Sequence, residues 1–128
     1  MGTAMTLLWI GLGGFLGANA RYFLGRAMVE RYGAAFPWGT LAVNLTGAFL
    51  IGVIAEWLLM RQDAPESWRL FLVIGVLGGY TTFSSYALEI VALLRDDKLL
   101  RAMAYLLVSN VAGIALCFLG VALVKRVA

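Results

Sequence analysis

Long apolar runs separated by short polar stretches set the outline of this chain. Four runs, at about 5–24, 37–60, 70–94 and 99–124, each hold enough apolar residues for a spanning helix, which needs roughly 20. The connections are RAMVERYGAAF, RQDAPESWR and RDDK, too short for a soluble domain. The pattern predicts one all-α membrane domain over residues 1–128, built of four transmembrane helices. Pro37 suits the first turn of helix two, and Trp38 and Trp68, near segment starts, suit an interfacial aromatic belt. The first run does not read as a cleaved signal peptide: no positive side chain precedes it, and no small-residue cleavage site leads into a polar chain.

The apolar pattern is interrupted most sharply in helix three, where GGYTTFSSYALE occupies 78–89. Adjacent Gly78 and Gly79 cost helix stability and permit a non-helical break. Thr81, Thr82, Ser84 and Ser85 can bond backbone groups that a break frees. Such backbone at membrane depth is tolerated when buried in protein or lining a wet cavity, and there it makes ion sites. A kinked packing helix is the alternative. Phe83 and Tyr86, three apart, share a face, and an aromatic ring presents an electropositive edge. Glu89 follows on the face of Ser85 and Tyr86. An acid within a span points to function; it can carry a proton, bind a cation, or bond hydroxyls near a pore mouth.

Helix one carries GLGGFLGANAR. Gly13 with Gly17, and Gly14 with Ala18, are small-xxx-small pairs that let helices approach closely in lipid. The spacing does not make a dinucleotide fingerprint, since no strand precedes it and the third glycine is misplaced. Arg21, inside the end of this run, either snorkels to the headgroups or forms an electropositive entrance that concentrates anions. In helix two, Thr40, Asn44, Gly47 and Ile51 share a face, and the Asn44 amide is either interhelical glue or a donor to a hydrated path. In helix four, Tyr105, Ser109, Gly113, Cys117 and Gly120 lie on or near one stripe, with Asn110 beside it. That stripe reads as tight packing or as a source of hydroxyls facing helix three.

Composition agrees with a bilayer as solvent: 62% hydrophobic, 13% charged, mean hydropathy +0.90. Soluble chains average about 45–50% apolar and about 25% charged. The net charge is +3, but the basic residues are scattered at segment ends, which points to headgroups and not to nucleic acid. One cysteine, Cys117, and no histidine exclude disulfides, zinc sites and histidine acid–base chemistry. No clustered nucleophile, base or metal ligands suggest an enzyme. With four spans both termini share a side. That side holds four basic residues (Arg61, Arg69, Lys125, Arg126) against five on the other (Arg26, Arg31, Arg95, Lys98, Arg101), or six with Arg21. So small an asymmetry allows insertion both ways, and opposite copies can pair as an antiparallel dimer; orientation by other signals is the alternative.

Taken together, the glycine-rich first helix ending in Arg21, PWGTLAVN with Asn44, GxxGGxTTFSS at 75–85, and Tyr105 with Ser109 make this sequence resemble the small prokaryotic fluoride channels, the Fluc or CrcB family. The resemblance spans almost the whole chain. It implies a dual-topology antiparallel homodimer in the prokaryotic cell membrane, with two pores lined by both subunits and no other protein partner. It implies passive export of cytoplasmic fluoride along Asn44, Phe83, Tyr86, Ser84, Ser85, Tyr105 and Ser109, with Thr40 on the Asn44 face. Arg21 falls in the vestibule and Glu89 near one mouth. It further implies a structural sodium ion at the dimer centre, held by the backbone carbonyls of Gly78 and Thr81. The chain departs from the family pattern at Tyr86, where Phe is usual, and at Ser85, Ala87 and Leu88, where a common form has Thr, Ser and a small residue. The competing expectation is a proton-coupled transporter of the small multidrug resistance type, also a four-span dual-topology dimer; those place an essential acid in helix one, where this chain has none. A non-conducting assembly protein is a third reading, and it leaves the polar cluster unexplained.

Overall fold

The computed structural model describes residues 1–61 and 63–127. Among them are four helical spans long and apolar enough to cross a membrane. Helix α1 is Thr3–Tyr32 and α2 is Trp38–Met60. The third span, Glu66–Arg95, is composite: α3 (Glu66–Trp68), a wider π-helical stretch (Arg69–Leu77), α4 (Gly78–Tyr80) and α5 (Phe83–Arg95). Helix α6, Leu99–Val127, is the fourth span. Helix α1 runs past its apolar segment because the polar sequence that follows is still helix-competent. There Arg26 pairs with Glu30 one turn on, at 2.6 Å. It ends at Gly33, whose φ of 80° suits the residue that closes a helix.

Packing sets α1 against the π-helical stretch, α2 and α4, and α2 against α6. Glycines allow the closest of these approaches, Gly17 against the third span and Gly52 and Gly120 between α2 and α6. A Cβ on Gly17 would collide with the backbone carbonyl of Val76 and come within 2.8 Å of the Tyr80 nitrogen. In lipid, where apolar burial does not drive helices together, such backbone contact is a main source of association. The apolar core is small: Leu41, Tyr86, Leu93, Ala102 and Tyr105, with Phe36, Leu45 and Ile90 against it. Many large apolar side chains, among them Leu7, Phe15, Leu100, Ile114 and Phe118, are exposed. The chain turns its greasy surface outward, as a lipid-facing protein must.

The glycines expected to interrupt helix three are themselves helical. Gly78 has φ −63° and ψ −37°, and the extended residues come just after, at Thr81 (φ −79°, ψ 156°) and Thr82 (φ −149°, ψ 118°). The reason is contact. A Cβ on Gly79 would press on the backbone of Gly14, so close packing with α1 uses that glycine, while the threonines supply side-chain bonds suited to leaving a helix.

Candidate functional site

The site begins where the third span leaves helical geometry. In an unbroken helix the Thr82 N–H would bond the Gly78 carbonyl. Here it donates to Asn44 Oδ1 at 2.8 Å, and the Thr82 carbonyl accepts from Asn44 Nδ2 at 2.9 Å. The side-chain amide thus pairs with the main chain as a neighbouring strand would. Thr82 then caps α5: its Oγ1 accepts from the Ser85 N–H at 3.2 Å and donates to Ser85 Oγ at 3.0 Å. The Thr81 hydroxyl returns to the Leu77 carbonyl at 2.9 Å. Thr82 is buried, 8% exposed, so these bonds satisfy groups that water does not reach.

Two open grooves meet at Thr82. The larger, about 740 Å³, is lined by Arg21, Thr40, Thr82, Ser85 and Glu89, by the Arg26–Glu30 pair of α1, and by apolar and small residues of α1 and α2. The smaller, about 370 Å³, includes Asn44, Gly78, Thr81, Thr82 and Phe83. Glu89 is held from two sides. Thr40 Oγ1 donates to one carboxylate oxygen and the Tyr105 hydroxyl to the other, each at 2.7 Å. These bonds pin the acid to α2 and α6 from its place on α5.

An aromatic row runs beside the grooves. Phe83 and Tyr86 have ring centroids 5.7 Å apart. Tyr86 meets Tyr105 edge-on at 5.2 Å, and Tyr105 meets Phe36 edge-on at 5.5 Å. Burial divides the row: Tyr105 is fully buried and Tyr86 nearly so, whereas Phe83 is 79% exposed. Ser109 on α6 has a buried hydroxyl with no hydrogen-bond partner among the described residues.

The residues singled out in the sequence therefore fall in four places. Arg21, Thr40, Ser85 and Glu89 share the larger groove. Asn44, Gly78, Thr81 and Phe83 share the smaller one. Tyr86 and Tyr105 are buried in the chain, and Ser109, half-buried, keeps its hydroxyl inside. Ser84, at the surface, lies 3.4 Å from the Thr82 hydroxyl. Thr82 is the hub that ties Asn44 to α5, a role beyond the general hydrogen-bonding one expected of it. Its position three residues before Ser85, at the start of a helical run, was the available signal. Asn110 donates to the Tyr86 hydroxyl at 2.8 Å; nothing in the sequence links these two residues, 24 apart.

Comparison with known proteins is consistent along the chain. Residues 8–121 match the family described as CrcB-like protein, Camphor Resistance (CrcB). The chain is similar to the fluoride-specific ion channel FluC of Rhizobium meliloti (strain 1021), 45% identical over 119 residues, covering 93% of this chain and 95% of that protein. FluC of Xylella fastidiosa (strain 9a5c) is 44% identical over 115 residues, with 90% and 80% covered. FluC of Prosthecochloris aestuarii is 45% identical over 119 residues, with 93% and 92% covered.

Proposed function

Since this chain belongs to the CrcB-like family, we propose that it is a fluoride-selective channel of the prokaryotic cell membrane, carrying the anion passively and performing no covalent chemistry. The observation that carries this reading is the larger groove: in a chain of four apolar spans it gathers Arg21, Thr40, Thr82, Ser85 and Glu89 on one surface. Fluoride entering a cell as HF ionises in a near-neutral cytoplasm, and the channel lets the ion leave down its gradient.

Bare fluoride in a low-dielectric medium would cost tens of kcal/mol, roughly, by an idealised Born estimate. The path must replace water with donors yet still release the ion. Arg21 raises the anion concentration at the entrance. Asn44 spends one amide N–H on Thr82 and keeps a second to offer. Ser84 and Ser85 supply hydroxyls, Phe83 a ring edge, and Ser109 a hydroxyl with no competing partner among the described residues. Chloride, larger, fits such a narrow row poorly.

A groove cannot shield an ion from lipid, so a second surface must close it. Phe83 and Gly78, both exposed in the subunit, support closure by another copy. The near-balance of basic residues supports an antiparallel pair with two pores. The break at Thr81–Thr82 suits the structural sodium ion of the family. The Gly78 carbonyl is relieved of its helical partner because Thr82 N–H goes to Asn44, and Gly78 and Thr81 line one groove. Their carbonyl oxygens are suitable ligands for a hard cation, which when bound would join the subunits at the centre.

Efflux from liposomes carrying the purified protein, followed with fluoride and chloride electrodes and no pH gradient, tests this reading. Fast fluoride and negligible chloride release is expected; flux that needs a proton gradient would instead favour a transporter built on Glu89. In the same assay Phe83→Ile removes a ring edge and is expected to slow fluoride roughly tenfold; normal conduction by a folded Phe83→Ile dimer would remove Phe83 from the pathway.

A further inference from the structure

Tyr86 is one of the positions where the chain leaves the pattern it otherwise resembles, and its hydroxyl has a specific partner. Asn110 on α6 donates through Nδ2 to the Leu106 carbonyl, one turn back, at 2.8 Å. The same nitrogen donates to the Tyr86 phenol oxygen at 2.8 Å. An amide nitrogen has two hydrogens and no acceptor capacity, so both are committed and the phenol oxygen is the acceptor. The flipped amide is disfavoured, because it would set Oδ1 against the Leu106 carbonyl oxygen. The phenol's own proton is therefore not spent on Asn110.

The ring is held on its other sides as well. Tyr105 meets it edge-on with planes 69° apart, Phe83 lies against it with planes 51° apart, and 8% of Tyr86 is exposed. Packing sets the ring plane, while Asn110 sets where the hydroxyl sits and leaves its hydrogen available. An O–H donor to an anion is a stronger ligand than a ring edge.

We infer that Asn110 is a positioning residue for anion passage: it anchors the Tyr86 phenol beside Phe83 and leaves the phenol proton free as a donor to the permeating fluoride. This rests on the channel reading above. Its substance is that an aromatic position has become a hydroxyl position, and that a residue on another helix controls it.

Four proteins test it: wild type, Asn110→Leu, Tyr86→Phe and the double variant, each assayed for liposome fluoride efflux and thermal melting in detergent. Asn110→Leu is expected to slow fluoride by roughly 3- to 10-fold, the factor that corresponds to one ordinary hydrogen bond. In the Tyr86→Phe background the same substitution is expected to change the rate by less than about twofold, because the group it positions is gone. Equal slowing in both backgrounds, or none in wild type, would overturn the proposal, since Asn110 would then act by packing alone or not at all. Should Asn110→Leu fail to fold, Asn110→Ser, too short to reach the phenol, takes its place in the cycle. Wild-type efflux separates the two readings. If wild type carries no fluoride, the channel assignment fails and the melting cycle alone judges the anchor: non-additive shifts support it and additive shifts overturn it.

Discussion

Asn44→Leu abolishes fluoride efflux and lowers the stability of the protein by about 2–4 kcal/mol. The size follows from what the amide holds. Its oxygen and one N–H pair with the N–H and carbonyl of Thr82, a buried residue in extended backbone. Leucine fits the space approximately but leaves both main-chain groups without partners at membrane depth, where no bulk water replaces them. Thr82 is also the cap of α5, so the disturbance passes to Ser85 and to the groove they share. Asn44→Asp is the informative companion. It keeps an acceptor for the Thr82 N–H but turns an oxygen toward the Thr82 carbonyl, so an intermediate loss of stability is expected. Efflux and melting on the same preparations check both variants. Wild-type stability with reduced flux for Asn44→Leu would mean that Asn44 serves the anion alone; unchanged flux would leave it a packing residue.

Gly17→Ala destabilises the protein by about 1–3 kcal/mol, while Gly11→Ala, on the same helix, is neutral or stabilises by up to about 1 kcal/mol. The chemical change is identical and the sign is set by surroundings. At Gly17 the new methyl meets the Val76 carbonyl and the Tyr80 nitrogen, rigid backbone that can yield only if α1 and the third span separate. At Gly11 nothing lies within 4 Å. The shift at Gly17 reaches function as well, since the displaced span leads into Thr81 and Thr82. Detergent melting of the pair is the measurement; equal effects at the two positions would contradict the packing described for α1.

Much of the site was legible in the sequence for a simple reason. In a chain solvated by lipid, each polar side chain within a span carries a desolvation cost and so stands out. Asn44, Thr40, Ser85 and Glu89 could be noticed on that ground, and the TTFSS stretch between apolar runs was conspicuous. Pairings were not legible. Thr40 and Glu89 lie 49 residues apart and Asn44 and Thr82 lie 38 apart, and helical periodicity places residues on a face without saying which face of which helix they meet. That the extended backbone falls at Thr81 and Thr82, just past the glycines, was not legible for a related reason. Glycine permits a break, but whether it is used for one depends on the neighbour, and here α1 claims Gly79 for close packing.

By itself the sequence determined the solvent and the class. Runs long enough to cross a bilayer, few charges and short connections leave an all-helical membrane domain as the arrangement that satisfies its own backbone, and the motif residues carry the family. Tertiary structure decided what each polar group does. It gave Asn44 to Thr82, Glu89 to Thr40 and Tyr105, and the Tyr86 hydroxyl to Asn110, and among the described residues it left the Ser109 hydroxyl unpaired. The physical reason is range: hydrophobic pattern acts along a single helix, whereas a hydrogen bond needs two groups within about 3 Å, a distance that only the packing of separate helices can set.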